Sequence, residues 1–499
     1  MTYTSTRDNQ AAVSAAQAIT QGISPEGGLF VPASIPVLTM EEIQELAGRS
    51  YPERANAVLE KYLTDFTPEE VASCTAAAYS PEHFRVPEVA PLRELEDGVH
   101  ILELWHGPTC AFKDMALQIL PHLMRVSAEK TLDGKEIVIL VATSGDTGKA
   151  ALEGFRDAPG TRILVFYPED GVSPMQKLQM TTQEGDNVAV CAIHGNFDDA
   201  QTGVKTIFTD PAIGRTLATH NMLFSSANSI NWGRLVPQIV YYISAYGDLL
   251  AGGKIQAGDP INVVVPTGNF GNILAAYYAG KMGLPIRRLI CASNRNRVLT
   301  DFIRTGVYDR NRSFYTTSSP SMDILISSNL ERLLYDLSGG DASEIRGMMA
   351  SLVKDGRYEV TTAMREAIQD KFAAGWCDDQ QTAQAIRDTF NQHGYLLDTH
   401  TAVAMHVYRE YRRETGDDTP AVIASTANPY KFAASVLEAL GCSDDKGDEF
   451  ARLQELEGKT GASIPAPLAA LQGKSPRFTS VCDRENMKDV VFSMLQITE

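Results

Sequence analysis

Glu136-Ile-Val-Ile-Leu-Val-Ala142, followed by Thr143-Ser-Gly-Asp-Thr-Gly148 and then Lys149-Ala-Ala-Leu-Glu-Gly-Phe155, is the stretch on which the fold class rests. A continuous apolar run of strand length fits a parallel strand covered on both faces. The turn after it and a helix opening at Lys149 complete a strand–turn–helix unit. The unit recurs downstream as a strand over 162–167 with a helix over 174–183, and a strand over 187–193 with a helix over 197–208. It appears again as strands over 262–265 and 288–292 separated by a helix after Gly271, and as a strand over 421–425 before a helix over 430–440. Strands alternating with helices in this way predict an α/β protein with at least two open parallel sheets.

Residues 1–95 break the pattern. The Ala-rich segment 10–20 predicts a helix, 22–32 a turn-rich loop ending in a short strand, and 40–48 and 51–64 two further helices. We read 1–95 as an N-terminal accessory domain with no chemistry of its own. Residues 96–135 and 216–499 then form a larger domain, with the helical, charged segment 328–395 as an insertion, and 136–215 form a smaller, mobile α/β domain. No internal repeat or low-complexity linker interrupts the chain.

At 499 residues, two or three domains of ~100–200 residues are expected. Apolar residues at 44% suffice for a large core, and the net charge of −18 argues against nucleic-acid and membrane-surface partners. An anionic small ligand would need a local basic pocket. The start is polar rather than signal-like, and no run approaches the ~18 apolar residues of a membrane span. Seven scattered cysteines and nine histidines show no paired spacing, so neither a disulfide framework nor a metal site is expected. These features suit a cytoplasmic enzyme.

Three turns carry candidate chemistry. In His106-Gly-Pro-Thr-Cys-Ala-Phe-Lys113-Asp114 a turn leads into a helix opening, with Thr109 as the cap and Asp114 in the first turn. There the helix dipole and an apolar face both disfavour the ammonium form of Lys113. Such an amine attacks an aldehyde and holds it as a Schiff base. The same residues also fit a surface lysine paired with Asp114. Thr267-Gly268-Asn269-Phe270-Gly271-Asn272, between a strand and a helix, offers backbone N–H groups to a phosphate, or is simply a tight connection. The turn of Thr143, Ser144, Gly145, Asp146 and Thr147 lies at the carboxyl end of a strand, where open α/β sheets bind ligands, and suits a carboxylate. Lys149, Lys177 and Arg234 are candidate basic groups, each of which alone fits a solvated surface charge. Ser425-Thr426 at another strand end offers a neutral hydroxyl to a ring nitrogen, or caps a helix.

Taken together, these motifs resemble the threonine synthases, fold type II pyridoxal-phosphate (PLP) enzymes with the tryptophan-synthase-β-like fold. The resemblance spans nearly the whole chain. It runs from Gln17–Pro32 through His106–Asp114, Ser144–Gly148, Gly195–Asp199, Asn228–Asn231 and Gly268–Asn272 to Ser321–Arg332 and Ser425–Pro429. It implies that Lys113 carries the cofactor as a Schiff base, that Gly268, Asn269, Phe270, Gly271 and Asn272 hold its phosphate, and that Thr426 faces its ring nitrogen. It implies that Thr143, Ser144, Gly145, Asp146 and Thr147 take the substrate carboxylate, and that Lys177, Asn228, Ser229 and Arg234 take the substrate phosphate. The implied reaction converts O-phospho-L-homoserine and water into L-threonine and phosphate by γ-elimination and β-addition, in a monomer or homodimer. Two positions depart from the pattern. Asp146 stands where many relatives have asparagine beside the cofactor's ring oxygen, which an ionised carboxylate would repel unless protonated or turned away. Asn428-Pro429 replaces a common His-Pro. A PLP-dependent lyase or deaminase acting on phosphorylated or hydroxylated amino acids, and a non-catalytic binding protein, are the alternative readings.

Overall fold

The architecture comes from a computed structural model that describes residues 1–143, 145–170, 172–442 and 447–497. Ser144, named above as a candidate, lies outside the described residues. The chain opens with β1 (Tyr3–Ser5), β2 (Asp8–Val13) and β3 (Phe30–Pro32), an antiparallel sheet of order β2-β1-β3. The helix expected over 10–20 begins only at Ala15. Ser14 and Gln17 form a capping box that fixes the start, and Asp8–Val13 pairs with β1 instead. Alanine's helix preference of a few tenths of a kcal/mol per residue does not outweigh that ladder. The helices Met40–Ala47 and Pro68–Ala78 start from capping boxes of the same kind, Thr39/Glu42 and Thr67/Glu70. This segment is bound to the rest of the molecule by an aromatic cluster in which Tyr3, Tyr62 and Tyr278 surround Trp232 at 5.4, 5.5 and 6.0 Å.

Next in the chain come β4 (Leu92–Glu96), β5 (Val99–Glu103), β6 (Glu136–Ala142), β7 (Thr161–Pro168), β8 (Val188–Ile193) and β9 (Met222–Ser225). They are followed by β10 (Ile261–Pro266), β11 (Ile286–Ser293), β12 (Val307–Asp309), β13 (Arg357–Glu359), β14 (Phe372–Trp376), β15 (Ala421–Ser425) and β16 (Val481–Cys482). One sheet has the order β14-β11-β10-β15-β5-β4 and is parallel except for the β4–β5 edge; the other, β16-β8-β7-β6-β9, is parallel throughout. The two parallel sheets predicted from the apolar runs are therefore present, with every residue of β10 and β15 buried.

The second sheet draws its edge strands from outside 136–215. β9 pairs with β6, and β16 returns from the carboxyl end to pair with β8. Met487, Val491, Phe492 and Leu495 of the last helix complete an apolar cluster with Leu164, Phe166 and Ile193. Segment 328–395 is not wholly helical either. It supplies β14, which pairs with β11 from Leu289↔Phe372 to Ser293↔Trp376. The helix expected over 430–440 is a 3-10 turn at Pro429–Phe432 continued by Ala433–Ala439. The segments that follow β5, β6, β10 and β15 all reach one cleft, through Lys113, Thr143, Thr267 and Thr426.

Candidate active site

That cleft is a cavity of about 1300 Å3, roomy beside the ~300–1,000 Å3 of common ligand pockets. Its lining brings together Lys113, Thr143, Asp146, Thr147, Asn228, Ser229, Arg234, Gly268, Asn269, Phe270, Gly271, Asn272 and Thr426. Gly145 sits just behind, with φ +135; a Cβ there would meet the Gln176 side chain at 2.4 Å, so the turn requires glycine for both reasons. Lys177 does not join the set. Its ammonium donates to the Glu169 carbonyl at 3.5 Å, while the neighbouring Gln176, about 100° away around the helix, is the residue directed at Asp146.

Lys113 is the first residue of the short helix Lys113–Leu117, and Phe112 rather than Thr109 occupies the cap position. Thr109 instead ties the preceding turn to Asp114, donating from its backbone N–H at 2.8 Å and its hydroxyl at 2.6 Å. Asp114, fully buried, is thus occupied by the turn and is no surface partner for Lys113. Burial pushes its carboxyl up to about 6, the Thr109 bonds acting in the opposite direction. The turn is also stitched to the β15 loop: the Phe112 N–H donates to the Thr426 carbonyl at 2.8 Å and the Asn428 N–H to the Cys110 carbonyl at 3.0 Å. Cys110 is buried and burial raises its thiol, as suits a small filler.

The Lys113 Nζ lies 3.5 Å from Ser321 Oγ and 3.8 Å from Asp146 Oδ2. Burial lowers it to about 8; Asp146 opposes that shift, and the charges of Arg234 and Lys431 reinforce it. The amine is therefore a far better nucleophile near neutrality than an exposed lysine. Asp146, which the sequence left ambiguous, is ionised. Burial would raise it, but the charges of Lys431 and Lys113 and the Gln176 amide outweigh burial and hold it well below the usual carboxylate range. It is turned onto Lys431, 2.7 Å from Oδ1.

At the end of β10, the helix Gly271–Lys281 starts from Phe270 in the left-handed region (φ 65), and its first turn, whose N–H groups have no partner within the helix, lines the cleft. Gly268 allows the backbone to pass close beneath Ser321, whose carbonyl oxygen would stand 2.7 Å from an added Cβ. Four buried side-chain atoms at this cavity lack a partner: Asn272 Nδ2, Arg234 Nε, Gln238 Oε1 and Asn228 Oδ1. Buried polar atoms are nearly always satisfied, so donors and acceptors left open around one cavity indicate a polar ligand set. Arg234 Nη1 donates to the Ala227 carbonyl at 2.7 Å, and burial lowers the guanidinium to about 10. Ser229 Oγ accepts from Asn329 at 3.0 Å. Ser425 is taken by Trp105 and Thr401 at 2.9 and 3.1 Å, which leaves Thr426 as the hydroxyl facing the cleft.

The Thr143 hydroxyl accepts the N–H groups of Gly145 (3.0 Å) and Gly148 (2.9 Å), shaping its turn. Sequence reasoning missed Lys431, Gln176, Gln238 and His400. None lies in a Gly-rich turn, and only the fold brings Gln238 and His400 to the cleft and Lys431 and Gln176 to Asp146 on its wall.

The donors present fit a phosphorylated aldehyde cofactor: an amine to hold the aldehyde, a helix start for its phosphate and a hydroxyl for its ring. Three family models match the chain: Threonine synthase N terminus at residues 2–79, Pyridoxal-phosphate dependent enzyme at 84–426, and Threonine synthase, C-terminal, at 401–491. The chain is 43% identical over 434 residues to Threonine synthase-like 1 of Homo sapiens, covering 85% of this chain and 58% of that protein, so it spans little more than half the length of that relative. It is 38% identical over 491 residues to threonine synthase of Eremothecium gossypii, covering 91% and 93%. The crystal structure of PLP-bound threonine synthase from Brucella melitensis is similar with a TM-score of 0.87 at 37% identity, over 99% of both chains. That of yeast threonine synthase gives 0.88 at 32%, again over 99% of both. On the buried lysine, the open donor set and these likenesses together, the chain belongs to the threonine synthase family of pyridoxal-phosphate-dependent enzymes.

Proposed function

We propose that the protein is a threonine synthase, converting O-phospho-L-homoserine and water into L-threonine and phosphate. One observation supports this most: a buried, depressed lysine amine and a buried guanidinium without a carboxylate partner among the described residues face one cavity. The cofactor, when bound, supplies an electron sink for charge developing on the substrate's carbon skeleton. The N–H groups of Gly268–Asn272 would hold its phosphate and the Thr426 hydroxyl would face its ring nitrogen. The Thr143–Thr147 turn would orient the substrate carboxylate. Asn228, Ser229 and Arg234 would hold the departing phosphate, Arg234 contributing the positive charge. Lys177 stands outside this set. The Lys113 amine would hold the cofactor, and its Nζ would accept and return a proton on the substrate. The seven cysteines, described as free thiols, and the net charge of −18 support a reducing, cytoplasmic setting.

The alternative is a lyase or deaminase of phosphorylated or hydroxylated amino acids on the same scaffold, and a deaminase of hydroxylated amino acids has no need of a buried cation awaiting a phosphate. Offering the loaded protein O-phospho-L-homoserine and L-serine in separate reactions distinguishes the two. Threonine from the first and no keto acid from the second is expected; keto acid from either supports the alternative.

The close approach at Gly268 yields a further expected result. Gly268→Ala would push the Ser321 carbonyl away and, at the ~1–3 kcal/mol typical of overpacking, weaken cofactor binding by about 10–100-fold. A cofactor titration followed by visible absorbance checks it; unchanged affinity would remove this loop from the cofactor site.

A further inference from the structure

The Lys431 side chain is wholly buried, yet it comes from a 3-10 turn that carries no recognised chemistry. It donates at 2.9 Å to the Thr109 carbonyl in the turn that presents Lys113, and lies 2.7 Å from Asp146 Oδ1, on the first residue of the helix that follows β6. The second Asp146 oxygen faces Lys113 at 3.8 Å, and Gln176 Nε2 donates to Asp146 Oδ1 at 3.1 Å. One carboxylate therefore stands between two buried lysines and lies closer to the one with no assigned task. We infer that Lys431 is a positioning residue, which claims the Asp146 carboxylate and so leaves the Lys113 amine without a full counter-ion.

Three physical points carry the inference. A charged lysine with no solvent exposure must have a partner, and Asp146 is its only ion-pair partner among the described residues. The ion pair with Lys431 at 2.7 Å is more than 1 Å shorter than that with Lys113 at 3.8 Å, so the pair with Lys431 dominates. Other charged or titratable groups around Lys113 do not substitute for Asp146. Asp114 is tied to Thr109, Arg234 is cationic, His400 is held by Asp398 at 3.1 Å, and Tyr241 is kept neutral by burial. The Lys431 side chain joins the loops after β5, β6 and β15, so its removal acts on Lys113 from two directions.

The consequence for catalysis rests on the proposed use of Lys113, but the test reads the amine itself. In the cofactor-free full chain, carbamylation of Lys113 by cyanate is followed against pH by peptide mass spectrometry, since only the neutral amine reacts. In Lys431→Met, Asp146 is left to Lys113 alone. The labelling midpoint is expected to rise by at least about one pH unit, making labelling at pH 7 about tenfold slower. Lys431→Arg should keep the native midpoint, and Asp146→Asn/Lys431→Met should reverse the rise. In the cofactor-loaded protein, the visible absorbance that reports protonation of the lysine–cofactor linkage should titrate at higher pH in Lys431→Met. A folded Lys431→Met protein with an unchanged midpoint, or a double variant shifted as far as the single one, would overturn the inference. Should Lys431→Met not fold, Asp146→Asn decides: a lowered midpoint supports the inference and an unchanged one overturns it. Absence of threonine synthesis in the parent protein, alongside the midpoint shifts given above, would instead count against the functional reading and leave the inference standing.

Discussion

Lys113→Ala is expected to lower threonine formation by at least about 10^4-fold, because the proposed function has this one side chain both hold the cofactor and move the proton. The loss should not come from unfolding. Lys113 lies on the wall of a cavity, with Ser321 and Asp146 as the polar partners of its ammonium among the described residues, so truncation removes little packing. It also removes a buried charge that burial already disfavours. A thermal melt within a few degrees of the parent, beside a turnover assay at the detection limit, is the expected pair of results. Turnover within tenfold of the parent would show that Lys113 has been assigned the wrong role.

Arg234→Met should have opposite effects on activity and stability. The guanidinium is 3% exposed, has no carboxylate partner among the described residues, and leaves Nε unsatisfied. Such a charge is tolerated where a ligand will pair with it, and removing one partner of a buried charge pair costs ~2–5 kcal/mol of binding. kcat/KM for O-phospho-L-homoserine should fall by about 10^2–10^3-fold. The ligand-free protein, relieved of an uncompensated cation, should melt at the same temperature or higher. Steady-state kinetics and a melt in phosphate-free buffer check both. Unchanged kcat/KM would exclude Arg234 from the phosphate site, whereas a large drop in melting temperature would make it a structural residue.

Which features could be read from the sequence follows from the range of the forces that set them. Strands β6, β7 and β8 are legible because a strand buried on both faces must be apolar throughout, and a run such as Ile137–Ala142 has no alternative of that length. β14 is not legible: Phe-Ala-Ala-Gly-Trp is short and mostly small, and only its pairing with β11 makes it a strand. β16 has two residues and pairs with a strand nearly three hundred positions earlier in the chain, beside a cluster that the apolar side chains of the last helix complete. The Ser14 capping box was written in the chain, yet the alanines on both sides of it obscured where the helix begins.

The same distinction holds in the cleft. The Gly-rich turns announce themselves because backbone geometry demands glycine locally. Asp146 was visible, but its ionisation and orientation depend on Lys431, which is 285 positions away and carries no motif of its own. Lys177 and Gln176 are adjacent, and only the helix's orientation decides that the amide rather than the amine turns to the cleft. Thr109 looked like a cap and proved to be a strut for Asp114, since the turn closes back on the helix it precedes.

The most direct test of the central claim is a single-tube assay. The purified protein, loaded with pyridoxal phosphate, is given O-phospho-L-homoserine, and phosphate and threonine are quantified together over time. Equal amounts of both, formed at the same rate and absent with Lys113→Ala, are expected. Phosphate released with a keto acid in place of threonine would contradict the proposed function.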